Sequence, residues 1–334
     1  MIDEALLRIV SAHAGAPQAY AQAPEPMSGG YWAAIYSFEL AEPPAGLGGP
    51  LVLRVMPSAS AAVVETIVQR TVANLGYPTP HVVIDGNDEA LGGPFIVMQR
   101  VAGAPLLDGL SIGRTLWTLP KMLRRVASQL SVASVRLHEL NPQPVVDALD
   151  AAGVDVTSLG VAARLNEIRV AAETSHGFDE LLTWLDRRRP PMTPAVVCHG
   201  DIHPFNMLMT ADDEFNLLDW TNANLCRREL DVGFTAALLQ CAPIEVPSIA
   251  TKPLGAVTGA LARRFIETYR RISPINLDVV EWFEVLQYGR CLASVATTST
   301  DDAIIDASHP FRTSAAAMIR QVRIVTDVRI TLPS

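Results

Sequence analysis

Residues 195–220 constrain this chain most, because they read as a β segment set inside a second half whose apolar residues otherwise recur at helical spacing. Val196, Val197 and Cys198 form a short apolar strand that runs into a polar loop holding His199, Gly200, Asp201, His203 and Asn206. Two apolar runs, 206–209 and 215–219, then flank the polar turn 210–214, which is the pattern of a β-hairpin.

The chain on either side divides near Gly103. Before it, a short N-terminal helix leads to strands at 31–40 and 51–56, joined by a Pro/Gly-rich hairpin loop. Residues 61–75 show helical spacing (Val64, Ile67, Val68, Val72, Leu75), with Gly76 placed as a C-terminal cap and Pro78 as a stop. Further strands follow at 81–85 and 94–100. After Gly103, Leu123, Val126, Leu130, Leu137 and Leu140 mark one helix face, and Phe178, Leu181, Leu182 and Leu185 another. Later helices are expected at 231–240, 254–272, 278–296 and 313–326. The expectation is an α+β chain with a small β-rich lobe, 1–101, and a larger helical lobe, 102–334.

Composition removes several classes. A formal net charge of −9 argues against a nucleic-acid partner, since phosphate binding needs a basic surface. The dense basic run Arg187, Arg188 and Arg189 reads as a solvated helix end. The first ten residues lack the basic start of a signal peptide, and no run reaches the roughly 18 apolar residues of a membrane helix. Cys198, Cys226, Cys241 and Cys291 are too far apart for a CxxC pair, so free thiols and a cytoplasmic location without membrane partners are expected.

The chemistry concentrates in the β segment. A hairpin centred between Asp212 and Asp213 puts Asn206 opposite Asp219, with Cβ atoms about 4.5–5.5 Å apart. Both side chains offer hard oxygen donors of the kind Mg²⁺ takes, and Asp201 reaches the same pocket from the preceding loop. A carboxylate to deprotonate a hydroxyl and two groups to hold a metal suit phosphoryl transfer. His199 and His203 have the i, i+4 spacing of a zinc pair, but Gly200 and Pro204 break the helix such a pair needs.

The run H-G-D-x-H-x-x-N (199–206) followed by L-L-D-W (217–220) resembles the catalytic and metal-binding motifs of the aminoglycoside phosphotransferase/choline kinase family. The resemblance covers about 27–239 and implies a protein-kinase-like fold, ATP (or GTP) and Mg²⁺ as cofactors, and a small-molecule hydroxyl as substrate. It makes Asp201 the catalytic base and Asn206 and Asp219 the magnesium ligands. His199 braces the loop, with His203 beside it, and Asp231 anchors the following segment. His138, in a helix that resembles the family's, reads as structural. Ser28, Gly29 and Gly30 stand where a glycine-rich hairpin covers nucleotide phosphates. Met98 to Val101 resembles the inter-lobe hinge, which assigns adenine to the Gln99 carbonyl and the Val101 N–H.

One departure concerns the phosphate-binding lysine, whose position holds Arg54; the two lysines of the chain, Lys121 and Lys252, lie elsewhere. Glu65, on the helix that follows, is the expected partner, since an inward-facing charge on the apolar strand Leu51, Val52, Leu53, Val55 needs one. A kinase fold that holds nucleotide with weak or lost catalysis is the alternative. An α/β-hydrolase built on Ser111 in G-L-S-I-G (109–113) needs a strand that Pro105 and Asp108-Gly109 interrupt, and no G-x-G-x-x-G supports a dinucleotide enzyme. From residue 244 onward nine acidic residues face ten basic ones, which gives no support for a strongly cationic acceptor. Trp282, Phe283 and Tyr288 fit a core-facing helix stripe.

Overall fold

Alternating apolar residues organise the first part of the chain around a sheet. In the computed structural model, which describes residues 2–27, 33–107, 112–242, 251–298, 309 and 311–332, helix α1 (Ile2–Ala14) precedes strands β1 (Tyr20–Pro26), β2 (Ala34–Leu40) and β3 (Leu51–Val55). Helix α2 (Ala59–Asn74) and strands β4 (Val82–Asp88) and β5 (Gly93–Gln99) follow. The strands form one antiparallel sheet in the order β1-β2-β3-β5-β4. Strand β3 is central, with β2 and β5 paired to its two edges, and it is buried at every position. Leu51, Leu53 and Val55 join Ala5, Leu6 and Val10 of α1 in one apolar cluster, each buried Leu or Val stabilising the fold by about 1.5–3 kcal/mol. The period of two then turns Val52 and Arg54 to the other face.

Helix α2 stops where its local sequence directs. Gly76 has φ +84°, its N–H donates to Ala73 O (2.9 Å) and Tyr77 N–H donates to Val72 O (3.0 Å), which together make a Schellman cap. Strand β1 was not expected. Its sequence, YAQAPEP, lacks an apolar face and carries two prolines, both tolerated because it lies at the sheet edge.

Helices dominate the rest: α3 (Ile112–His138), α4 (Gln143–Ala151), α5 (Val161–Ala172), α6 (Phe178–Arg187), α7 (Glu229–Gln240), α8 (Thr251–Ile272), α9 (Leu277–Thr298) and α10 (Ala315–Thr326). Between them lie β6 (Ala104–Pro105), β7 (Val196–Cys198), β8 (Met207–Met209), β9 (Phe215–Leu217) and β10 (Asn224–Cys226). Helix α7 is buried from Glu229 to Leu239 and packs against α8 and α9. Trp282, Phe283 and Tyr288 of α9 are buried core residues, and the Trp282 indole N–H donates to Leu185 O (2.9 Å). Arg187, Arg188 and Arg189 are exposed at the end of α6. The four cysteines are free and buried.

The chain gathers into two compact units, each built from separated stretches. The first comprises Met1–Pro105, Gln143–Val154 and Asn206–Ala223; the second comprises Leu106–Pro142, Asp155–Phe205 and Asn224–Ser334. In the first, β6, β8 and β9 form a small sheet, and α4 packs on α2. In the second, β7 pairs with β10 beside the helices. Among the described residues, no helix is long and apolar enough to cross a membrane. Ser28, Gly29, Gly30 and Ser111 lie outside the described residues.

Candidate active site

The expected hairpin is present as β8 and β9, but its register differs from the expected one. Met207 pairs with Leu217, Leu208 with Asn216 and Met209 with Phe215, so Asn206 faces Leu218, whose N–H donates to Asn206 O (2.8 Å). The cause is the turn. Thr210 N–H donates to Glu214 O (2.8 Å), Asp213 N–H donates to Thr210 O (3.2 Å) and Asp213 takes φ +61°. This is a three-residue loop closed by a left-handed residue, where a two-residue turn would have opposed Asn206 and Asp219. Asp219 stands one step beyond the pair and itself takes φ +64°, which ends the strand.

Trp220 anchors that bend. Its ring is fully buried and meets Tyr77 edge-on at 5.8 Å, and its indole N–H donates to Thr79 Oγ1 (2.8 Å). Thr79 in turn donates to Leu217 O (2.8 Å). With the bend held, Asp219 Oδ1 accepts from Arg54 Nη2 (2.9 Å) and from the Thr221 hydroxyl (2.6 Å). Arg54 Nη2 also donates to Thr221 Oγ1 (2.9 Å), and Arg54 Nη1 pairs with Glu65 Oε1. Thr221 Oγ1 lies 3.0 Å from Glu65 Oε2. The structure therefore brings Arg54 to its expected partner Glu65, and adds Asp219 and Thr221 to the pair.

Burial makes this cluster matter: Glu65 is 1% exposed and Arg54 7%. Burial pushes the Glu65 carboxyl above its usual range, while Arg54, Thr221 and their hydrogen bonds pull it back. Burial lowers the Arg54 pKa less than Glu65 and Asp219 raise it, so the guanidinium stays charged. Thr221 was missed in the sequence. It follows Asp219 by two residues, but its role comes from groups 156 and 167 residues away, which no local pattern reports.

In the second unit the loop after β7 is held from beneath. Gly200 takes φ +76°, a glycine conformation, and its N–H donates to Asp231 Oδ1 (2.7 Å). Asp231 Oδ2 accepts from the His199 backbone N–H (2.9 Å) and lies 3.0 Å from His138 Nε2. His138 Nδ1 is 2.7 Å from the Tyr269 hydroxyl. Although burial pushes the Asp231 carboxyl up, the bonds from His138 and the His199 N–H hold it below the usual carboxylate range. Thr235 of α7 donates to Ile202 O (2.8 Å), fixing the residue after Asp201. Asp201 Oδ1 lies 3.7 Å from His203 Nε2, and both side chains are part-exposed. Phe205 N–H donates to His203 Nδ1 (3.2 Å), so Nε2 carries the proton of the neutral ring and faces Asp201. His199 is fully buried and contributes its backbone.

His138, Cys198 and Asp231 hold donor atoms within 4.8 Å of one another. The Asp231 oxygens already bind His138 and two backbone N–H groups, and the Cys198 thiol contacts Cys226 O and Arg227 O, so the cluster is a structural brace. Asn206 and Asp219 differ: one amide and one carboxylate, 40% exposed at its side chain, offer oxygen donors that fit a magnesium ion completing its shell with water and phosphate. Gln99 ends β5 with its N–H on His81 O (3.1 Å), and Val101 is half-buried just after it.

The profile of the phosphotransferase enzyme family matches residues 25–275. The chain belongs to the phosphotransferase enzyme family. Over 141 residues it is 33% identical to an aminoglycoside 3'-phosphotransferase of Streptomyces fradiae, a match covering 40% of this chain and 47% of that enzyme. It thus spans about half the length of that curated relative. A solved Ralstonia eutropha protein, provisionally described as an aminoglycoside phosphotransferase, superposes with TM-score 0.67 at 16% identity over 98% of both chains. A ternary complex of the aminoglycoside phosphotransferase APH(4)-Ia with ADP and hygromycin B gives TM-score 0.57 at 14% identity, over 95% of this chain and 98% of that one. The α+β kinase-like fold expected from the sequence is the fold of these phosphotransferase family structures.

Proposed function

We propose that this protein transfers the terminal phosphoryl group of ATP to a hydroxyl of a small molecule in a magnesium-dependent reaction. The observation that carries the reading is the buried Arg54–Glu65 pair extended onto Asp219, which puts a fixed guanidinium beside a metal-suited carboxylate. The relatives support it: one is named an aminoglycoside 3'-phosphotransferase, and another was solved with ADP and hygromycin B.

In this reading Asp201 accepts the proton of the acceptor hydroxyl as its oxygen bonds to phosphorus, while the bond from phosphorus to the bridging oxygen of ADP breaks. His203, with its ring fixed by the Phe205 N–H, keeps the Asp201 carboxylate oriented. Asp231 holds the loop through His199 and Gly200. Arg54 turns from Asp219 to the nucleotide phosphates, and Gln99 and Val101 take the adenine edge. Asn206 and Asp219 would hold a magnesium ion, which would neutralise charge that develops on the transferred phosphate. GTP in place of ATP keeps every one of these roles except the base contact.

Asp201→Asn tests the assignment. With an acceptor found by screening metabolites for ATP-dependent gain of one phosphate, turnover should fall by about 10²–10⁴-fold while ADP affinity stays within a few-fold. Near-normal turnover in a folded Asp201→Asn protein removes the residue from the mechanism. A second reading, a nucleotide-binding module with slow or lost catalysis, is favoured by the arginine that engages Asp219 where the family has lysine. ATP turnover that no metabolite pool stimulates selects it.

A further inference from the structure

We propose that Arg54 and Thr221 together cover the metal-binding oxygen of Asp219, so that a divalent cation reaches it only with the nucleotide phosphates that draw Arg54 away. The proposal rests on the phosphotransferase reading above and deepens it, with Thr221 as a positioning residue.

Two distances carry it. Asp219 Oδ1 receives Arg54 Nη2 at 2.9 Å and the Thr221 hydroxyl at 2.6 Å, the short separation of a hydroxyl donating to a carboxylate. That oxygen thus holds two side-chain donors, one of them a full positive charge, besides the Thr221 backbone N–H at 3.4 Å. A cation at Oδ1 must displace both side chains, which opposes binding there on charge and on hydrogen bonding alike. Arg54 is kept in place by Glu65 on its other terminal nitrogen, so it does not swing aside unaided. Phosphate oxygens change the balance, because they offer Arg54 Nη2 an anionic partner as good as the carboxylate it leaves.

The hydroxyl inventory makes the exchange inexpensive. Thr221 has one proton and two lone pairs. It accepts from Arg54 and sits within reach of two carboxylate oxygens, Asp219 Oδ1 at 2.6 Å and Glu65 Oε2 at 3.0 Å, but donates to one at a time. When a cation occupies Asp219, rotation about the Thr221 side chain turns the proton to Glu65. Glu65, almost wholly buried, then gains a donor at the moment Arg54 shifts its second nitrogen elsewhere.

Manganese binding followed by the electron paramagnetic resonance signal of free Mn²⁺ tests this without turnover. The Asp219→Ala protein sets the background of adventitious acidic sites. Wild-type protein should bind Mn²⁺ well with ADP and barely above that background without it. Arg54→Met should raise affinity for Mn²⁺ alone by about 10-fold or more, and Thr221→Val by about 3–5-fold, while Thr221→Ser stays near wild type. Melting temperatures identify any variant that does not fold, and the other then decides. If both folded variants bind Mn²⁺ alone no better than wild type, the covering role is wrong and the phosphotransferase reading stands. If wild-type protein fails to bind Mn²⁺ even with ADP, that reading falls and takes this one with it.

Discussion

Asp231 is the residue whose side chain does most for the loop that carries Asp201. Its two oxygens take three donors, His138 Nε2 and the backbone N–H groups of His199 and Gly200, with no exposure to solvent. Asparagine at 231 keeps the size but turns one acceptor into a donor facing another donor. Asp231→Asn should therefore cost about 3–5 kcal/mol, seen as a lower urea midpoint, the range for breaking a buried charged network. A loss below about 1 kcal/mol means that the network is not a brace. The sequence pointed to His138, His199 and Asp231 separately, since each lies in a recognisable run. That they bond one another, across 93 residues from His138 to Asp231, was not legible. Arg54 gives the same lesson. Its apolar strand demanded a partner and Glu65 was near enough in sequence to name, whereas Asp219 and Thr221, 165 and 167 residues away, were not.

Among the elements, α7 and α9 approach closely at a glycine. A Cβ added to Gly233 would lie 2.6 Å from Phe283 Cβ and 2.7 Å from Val280 O, a backbone atom. Gly233→Ala should destabilise by about 1–3 kcal/mol despite alanine's better helix propensity. Gly255→Ala on α8, with nothing within 4 Å, should instead stabilise by about 0.5–1 kcal/mol. Chemical denaturation of both variants tests the pair, and equal effects would place the helices too far apart for this packing. Strand β1 and the hairpin show where element reading stops. The edge strand has no apolar alternation because one side of its ladder has no neighbour, and the hairpin's partners depend on a loop length that one left-handed aspartate decides. Helix α5 was not expected from the sequence: Val161, Leu165, Ile168 and Ala171 face inward at helical spacing, but so few apolar positions are weak evidence on their own.

For the whole molecule, the clearest pH signal lies in a groove between α8 and α9. Glu284, in a cavity of about 330 Å³ lined also by Arg263, Glu267, Arg270 and Glu281, has its carboxyl pushed up to about 7, first by burial and then by Glu281. Tyr288 on the same helix is near enough for Glu284 to raise its own pKa further. Unfolding returns Glu284 to about 4.3, so the folded state binds the extra proton between those values. Stability therefore falls as pH rises through that window, the reverse of a carboxylate held low by a salt bridge. Glu284→Gln should raise the melting temperature by about 2–4 °C at pH 8 and change it little near pH 4.5. A uniform shift at both values would show that the effect is packing and not protonation.

What the sequence determined by itself was local or self-contained. Helical periodicity, the Gly76 cap and the polar turn after Met209 depend on residues within a few positions of one another, where backbone geometry alone relates them. The tertiary structure decided which of those groups meet. It set Asn206 against Leu218, closed Thr221 over Asp219 and Glu65, and joined Asp231 to the loop before it. It also assigned 206–223 and 143–154 to the same compact unit as the first strands. The physical reason is that such contacts join stretches distant in the chain, through side chains whose partners are chosen only when burial brings both ends out of water.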